Sequence, residues 1–460
     1  MRVVKVGLAV IMASGMWYYI HAVLIPYQRM QAALPQAALH RTPSSRSLGD
    51  LYPRWLGTRE LLLHGRDPYG PEVTREIQIA AYGEISDGAR HNLARDEQRF
   101  AYPAYVVFLL APATTLPFPL VRHLFRFLLI VLTAASVPLW IHALKLRFTR
   151  ATTVIIALLM LGSYPVIQGL YLEQLTLLVC FLIAACCAAL ASRRLVPAGI
   201  LLALATVKPQ LAVGVVALLA VWALGDWIRR KLLAWAFAMT TALLWLGAEW
   251  VLPGWLGRWW AAMHAYLGYN DSRSLLEILI GRSGAGVISV LIGLGLAFTC
   301  WRLRRAAAGS YAFNACLLSV LTVGLLIKPK FPLYDTAVLL PAVLALWGYR
   351  KILWDVALAS RVLLCTAAGL LAWQWFWGLA LAALSLVTPA TAQNAWKLPP
   401  AALFLLPVAV AGLLSLLTAD VLLGRTPSQK VTGALAPTSE VTFEKASALN
   451  PAAANGSFGQ

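Results

Sequence analysis

The chain has 460 residues, 60% of them hydrophobic and 12% charged, with a mean hydropathy of +0.72. Apolar runs of bilayer-spanning length recur along it, which excludes a soluble domain and predicts an all-α polytopic membrane protein. The net charge of +19 would suggest nucleic acid in a soluble protein. Here the basic residues punctuate the spans instead (Lys145, Arg147 and Arg150; Arg193 and Arg194; Arg229, Arg230 and Lys231; Arg302, Arg304 and Arg305; Arg350 and Lys351), as inside loops do, and nucleic acid is not an expected partner.

Met1-Arg2-Val3-Val4-Lys5 precedes an apolar run to about Ile25. No small-x-small cleavage site precedes Pro26, so a retained first transmembrane helix with its N-terminus inside is expected. A long polar loop follows, about 26–101, whereas the other connections between apolar stretches look short. Further spans are expected near 120–143, 151–169, 172–191, 196–207, 209–226, 232–252, 285–301, 311–327, 335–348, 362–386 and 399–419. With the run at 6–25 this gives a bundle of about twelve transmembrane helices, with both termini cytoplasmic. Residues 1–423 then form one transmembrane domain, and 424–460, rich in Ser, Thr, Ala, Pro and Gly, form a disordered cytoplasmic tail.

Two places strain this topology. A full crossing by 102–118 would put Lys145–Arg150 outside, so a short, partial or tilted helix is expected there. Arg122, His123 and Arg126 argue the other way, since they would suit a cytoplasmic turn. The second place is 196–226, broken at Val207-Lys208-Pro209-Gln210. Pro209 lacks an N–H and disfavours a helical conformation at Lys208. Broken helices at membrane depth line cavities, which places Lys208 near the external face.

This topology gathers polar residues from five stretches on the external side. They are Asp50 to Tyr69; Glu173 and Gln174; Lys208 and Gln210; Arg258, His264, Asn270, Asp271 and Arg273; and Lys328, Lys330, Tyr334 and Asp335. A carboxylate among cations at a lipid–water boundary suits an anionic, membrane-anchored substrate. Asp50 is the strongest candidate for a base. It opens a segment with apolar or aromatic residues at 51, 52, 55, 56, 61, 62 and 63, a pattern for an amphipathic helix carrying Tyr52, Arg54 and Trp55 along the interface. A helix N-cap is the competing account of Asp50, and the two roles are compatible. Trp55, Tyr69 and Tyr102 are candidate substrate contacts, although aromatic residues at an interface are common. Asp67, in Asp67-Pro68-Tyr69-Gly70, reads first as a turn residue.

A lysine at membrane depth favours a functional reading, so Lys208 is a candidate phosphate partner, with snorkelling as its alternative. Arg273, Lys328 and Lys330 are cations on the unexpected side, which a phosphate ligand would explain. Glu173 and Asp335 each begin a span, where a cap or a favourable helix dipole is the default. The six cysteines lie within or at the edge of apolar spans and read as small buried hydrophobes. With no metal triad, P-loop or dinucleotide fingerprint, no metal or cofactor is expected, and a glycosyl or phosphoryl donor would come from the lipid phase.

Asp50 with Leu-His-Gly-Arg-Asp-Pro-Tyr (63–69), Phe-Ala-Tyr-Pro (100–103), Leu-Ala-Pro (110–112) and Leu-Pro (116–117) resembles glycosyltransferase family 87. Tyr-Leu-Glu-Gln (171–174), Val-Lys-Pro-Gln (207–210) and Tyr-Asp with Leu-Leu-Pro (334–341) continue the likeness in order over most of residues 1–350. The resemblance implies a GT-C-like fold in the inner (plasma) membrane with a site facing outward or to the periplasm. It implies a polyprenyl-phosphate sugar donor, a glycan or glycolipid acceptor, Asp50 as base and phosphate contacts around Lys208. Members of the family transfer mannose or arabinofuranose. Glu173 departs from the pattern, which leads one to expect a glycine before the glutamine; the added carboxylate would alter the acceptor pocket. The alternative is a flippase or transporter of lipid-linked sugars, which would use the same cations without a base.

Overall fold

The computed structural model describes residues 2–33, 48–82, 98–269 and 273–423. Every regular element among them is helical. Six helices are long and apolar enough to cross a membrane: Val3–Gln28, Phe118–Ala143, Trp227–Val251, Leu275–Arg302, Leu358–Ser385 and Pro389–Leu422. A seventh candidate is the pair Arg150–Leu161 and Tyr164–Tyr171, bent by 55° at the break between them. Five further expected spans take the form of shorter apolar helices, Leu175–Ala191, Leu195–Ala205, Pro209–Gly225, Tyr311–Ile327 and Leu333–Gly348.

The breaks have local causes. Ser163 is extended (φ −85°, ψ 147°) ahead of a helix with Pro165 in its first turn, which starts a helix but cannot continue one. At the same point Gly162 leaves no room for a side chain against Ala13, and its carbonyl accepts the Trp375 indole N–H at 2.9 Å. Three helices therefore close together at the bend. Between Ala205 and Pro209 the chain leaves helical geometry, with Lys208 at φ −126° and ψ 79°, the break expected from Pro209. In the first helix a π-helical stretch, Tyr19–Leu24, precedes Pro26 and accommodates a residue that cannot donate to the helical ladder.

Trp227–Val251 and Leu275–Arg302 expose long apolar side chains such as Leu243, Leu246, Val290 and Leu294, the outer surface of a bundle whose solvent is lipid. Five of the six cysteines are buried; Cys365, on the Leu358–Ser385 helix, is exposed.

The two ends of the bundle differ. At one end the basic clusters meet: His142 bonds Ser192 at 2.8 Å, and Arg230 donates to the carbonyls of Trp222 and Arg304 at 2.5 and 2.7 Å. At the other lie the segments around Asp50, 171–174, 206–210 and 328–335. There the Leu51–His64 helix departs from the one-sided interfacial helix expected of it. Leu51, Pro53, Arg54, Trp55, Leu56, Gly57, Thr58, Glu60 and Leu61 are all buried. It is a core helix whose polar groups find partners inside the protein: Thr58 donates to Arg54 O at 2.7 Å, and Glu60 accepts from Arg66 at 2.8 Å. The stretch 102–118 holds a five-residue helix, Val106–Leu110, and a short 3-10 turn. Asn270 and the tail 424–460 lie outside the described residues.

Candidate active site

Gly49 and Asp50 enter the Leu51–His64 helix by a turn that needs glycine. Gly49 is at φ +65°, and a Cβ there would overlap Glu173 Oε2. The Asp50 backbone N–H donates to Leu172 O at 2.9 Å. Its side chain makes no capping bond to the helix it precedes. The carboxylate instead accepts a short bond from Gln174 Nε2 and lines a cavity of about 370 Å³.

Three helices begin beside that cavity, at Leu175, Pro209 and Leu333, and a fourth ends there at Ile327. Their termini supply its charges. Asp335 Oδ1 accepts from Thr176 at 2.6 Å and from Lys208 Nζ at 3.2 Å, while its Oδ2 takes the ammonium of Lys328. Lys208 also donates to Thr176 at 2.5 Å and reaches Gln174 Oε1 at 3.5 Å, and it lies over the Tyr334 ring at 4.9 Å. Lys328 donates to Lys330 O at 2.9 Å, and Lys330 reaches the Tyr266 hydroxyl. Lys208, Lys328 and Asp335 are 3%, 6% and 1% exposed. Two buried ammonium groups therefore share one carboxylate, an excess of positive charge in a poorly solvated place. Helix N-termini at Leu175 and Pro209 add partial positive charge on the same side. A polar chain from Lys208 through Gln174 to Asp50 links the cationic half of the cavity to its carboxylate.

The wall opposite comes from the segment around Arg99, Tyr102 and Pro103, and from Trp259, Trp260, His264 and Tyr266 on the Trp255–Tyr269 helix. Asp67 holds that helix to the polar loop. Its Oδ1 accepts from Tyr69 N at 2.9 Å, an Asx turn, and its Oδ2 pairs with Arg258 at 2.9 Å.

Of the sequence candidates, Asp50, Tyr102, Lys208, Gln210, Lys330 and Asp335 line the cavity, and Gln174 stands behind Asp50. His264, Lys328 and Tyr334 line it too, whereas Tyr52, Arg54, Trp55, Asp67, Tyr69, Glu173 and Arg273 lie off it. Arg54 is fully buried; its Nε donates to Asp50 O at 2.5 Å and its Nη2 to Glu173 O at 3.3 Å. Trp55 donates to Ala113 O at 3.0 Å, and Tyr52 packs edge-on against Phe118. The Tyr69 hydroxyl donates to Tyr102 O at 2.5 Å, and burial pushes its phenol well above the ordinary range, keeping it a donor. Arg273 is exposed and outside the lining. Glu173 is buried against Arg122 Nε at 2.9 Å and Arg126 Nε at 2.7 Å; burial raises its carboxyl above the usual range against the pull of both arginines.

Thr176, Arg99 and Tyr266 were not singled out from sequence. Thr176 follows Gln174 by two residues in the first helical turn and could have been suspected; Arg99 and Tyr266 carry no local signal. Among the described residues no three His, Cys, Asp or Glu side chains group closely enough to hold a metal ion.

A buried carboxylate and clustered lysines lie around one cavity at the end of an apolar helical bundle. Residues 100–329, half of the chain, match glycosyltransferase family 87, and the protein belongs to that family of GT-C-like membrane glycosyltransferases. No curated protein matches the chain.

Proposed function

We propose that this glycosyltransferase moves a sugar from a polyprenyl-phosphate donor to an acceptor hydroxyl with inversion, using Asp50 as general base. The observation that carries the reading is the pairing within one cavity of the Asp50 carboxylate with Lys208 and Lys328, two buried cations that share a single aspartate. The donor phosphate would complete the charge balance on the lysine side. Asp50 would take the acceptor proton as the acceptor oxygen bonds to the anomeric carbon, and the bond from that carbon to the phosphate oxygen would break. Lys208, Lys328 and Lys330 would stabilise the charge left on the lipid phosphate, which departs as a monoester. This chemistry draws on no cofactor beyond the lipid-linked donor.

The family supports a mannose- or arabinofuranose-like sugar and a glycan or glycolipid acceptor. In the proposed topology each of the five shorter apolar helices and the bent pair crosses once, giving about twelve spans. The basic end and both termini then face the cytoplasm, and the cavity faces the external or periplasmic side of the inner membrane. The cavity is walled by the polar loop and the Trp255–Tyr269 helix, which favours a transferase over a flippase of lipid-linked sugars.

The test is sugar transfer by purified protein in lipid vesicles, with a panel of polyprenyl-phosphate sugars, wild type beside Asp50→Asn. The expected result is turnover by wild type and a loss of about 10²–10⁴-fold in the variant, with donor binding retained. Equal turnover by both would remove Asp50 from the mechanism. Movement of the lipid across the bilayer without sugar transfer would establish the flippase.

A further inference from the structure

The segment Leu172-Glu173-Gln174 touches the Asp50 turn three times in succession. Leu172 O accepts from the Asp50 backbone N–H at 2.9 Å. Glu173 O accepts from Arg54, whose Nε holds Asp50 O at 2.5 Å. Gln174 Nε2 donates to the Asp50 carboxylate itself. These three residues form a cradle that fixes the backbone and the side chain of Asp50 together, and the cradle lies between two helices, where Leu172 N and Gln174 N donate back to Gln168 O and Gly169 O at 3.0 and 2.8 Å.

Its side-chain anchor is Glu173. Its carboxylate is fully buried and joins Arg122 Nε at 2.9 Å and Arg126 Nε at 2.7 Å, both in the first turns of the Phe118–Ala143 helix. Arg126 Nη2 also donates to Tyr171 O at 3.2 Å. Glu173 adopts φ +51°, a region where glycine is the low-strain residue. Its Oε2 has no hydrogen-bond partner among the described residues and occupies the space where a Cβ at residue 49 would sit. A buried charge held in a strained conformation persists only where its surroundings over-determine it. Here the surroundings are two arginines on one side and the glycine that leads into the base on the other.

We propose that Glu173, clamped by Arg122 and Arg126, is a positioning residue that sets the orientation of Asp50 for proton transfer, an inference that rests on Asp50 being the base. Glu173 does not line the cavity, so its influence passes through the cradle. Weakening the clamp loosens Gln174 from the Asp50 carboxylate, and a base displaced by a fraction of an ångström acts less well on a bound acceptor. Donor binding, which depends on the lysines, is left alone.

The experiment compares wild type, Glu173→Gln, Arg126→Met and Asp50→Asn in vesicles at equal amounts of folded protein. It reads kcat, the donor KM and the pH profile of kcat. Glu173→Gln is expected to lower kcat at least tenfold with the donor KM within twofold. It should also move the acid limb of the profile to higher pH, because Gln174 no longer steadies the ionised carboxylate. Arg126→Met, at a partly exposed position, should show the same split more mildly and covers the case in which Glu173→Gln folds poorly. Wild-type kcat and acid limb in both clamp variants, with Asp50→Asn inactive, would overturn the positioning role alone. Full turnover by Asp50→Asn would overturn it together with the base. A kcat loss that only tracks lost folded protein would reduce Glu173 to a structural residue.

Discussion

The two ends of the bundle hold cations in different ways. At the basic end, arginines turn to backbone carbonyls. Arg230 donates to four of them, at Trp222, Arg304, Arg305 and Ala306, and lies over the Trp222 ring at 3.8 Å. Arg304 and Arg350 each donate to a carbonyl three residues back, at 2.6 and 2.8 Å. These groups close the C-terminal ends of helices whose last carbonyls lack partners. At the cavity end two buried lysines, Lys208 and Lys328, are directed at one carboxylate, Asp335, while Arg54 beneath Asp50 again holds carbonyls. A guanidinium on carbonyls completes a structure; an ammonium excess around a cavity leaves a place for an anion. The partner of each cation, more than the count of cations, separates the structural end from the chemical one.

The strongest way to break that comparison is Asp335→Asn. It leaves Lys208 and Lys328 buried without their shared carboxylate, and removal of one partner of a buried ion cluster costs about 3–5 kcal/mol. The expected outcome is a large fall in Tm in lipid or detergent, with much of it recovered in the double variant Asp335→Asn, Lys208→Met. If Asp335→Asn were as stable as wild type, the cavity cations would not depend on Asp335, and the contrast between the ends would fail.

Lys208→Met separates stability from chemistry at the same site. Asp335 keeps Lys328 and Thr176, so the fold should survive better than in Asp335→Asn. Turnover should fall by about 10²–10³-fold, as when one preorganised donor to a developing anion is removed. The measurement is transfer rate per folded molecule beside Tm. A variant that lost stability and kept its rate would place Lys208 with the structural arginines.

Much of this arrangement was legible in the sequence where a single residue dictates local geometry. Pro209 announced the break that brings Lys208 to the cavity, and the composition of 67–70 announced the turn at Asp67. The polar loop after the first apolar run drew attention to Asp50. What failed were features whose cause lies far away in the chain. The Leu51–His64 helix looked one-sided from its apolar positions at 51, 52, 55, 56, 61, 62 and 63; burial of Arg54 becomes affordable only when Glu173 O arrives from far along the chain. Glu173 read as a departure at the acceptor pocket, yet its partners sit some fifty positions away on a helix whose arginines suited a cytoplasmic turn. The span count rested on apolar run length and the basic clusters as inside markers, and several apolar runs stop short where prolines begin new helices.

Arg230→Met tests the structural end and should have the smallest effect of the set. The methionine keeps much of the packing over Trp222 but leaves carbonyls at Trp222 and Arg304 without their donor, a loss of about 1–3 kcal/mol for buried groups that cannot turn to water. Arginine stays charged at any working pH, so the stability difference between Arg230→Met and wild type should be flat from pH 6 to 9. Transfer per folded molecule should equal that of wild type, because the residue lies at the opposite end from the cavity. A drop in rate without a drop in Tm would mean that the two ends are coupled through the helices between them, and that the basic end takes part in turnover.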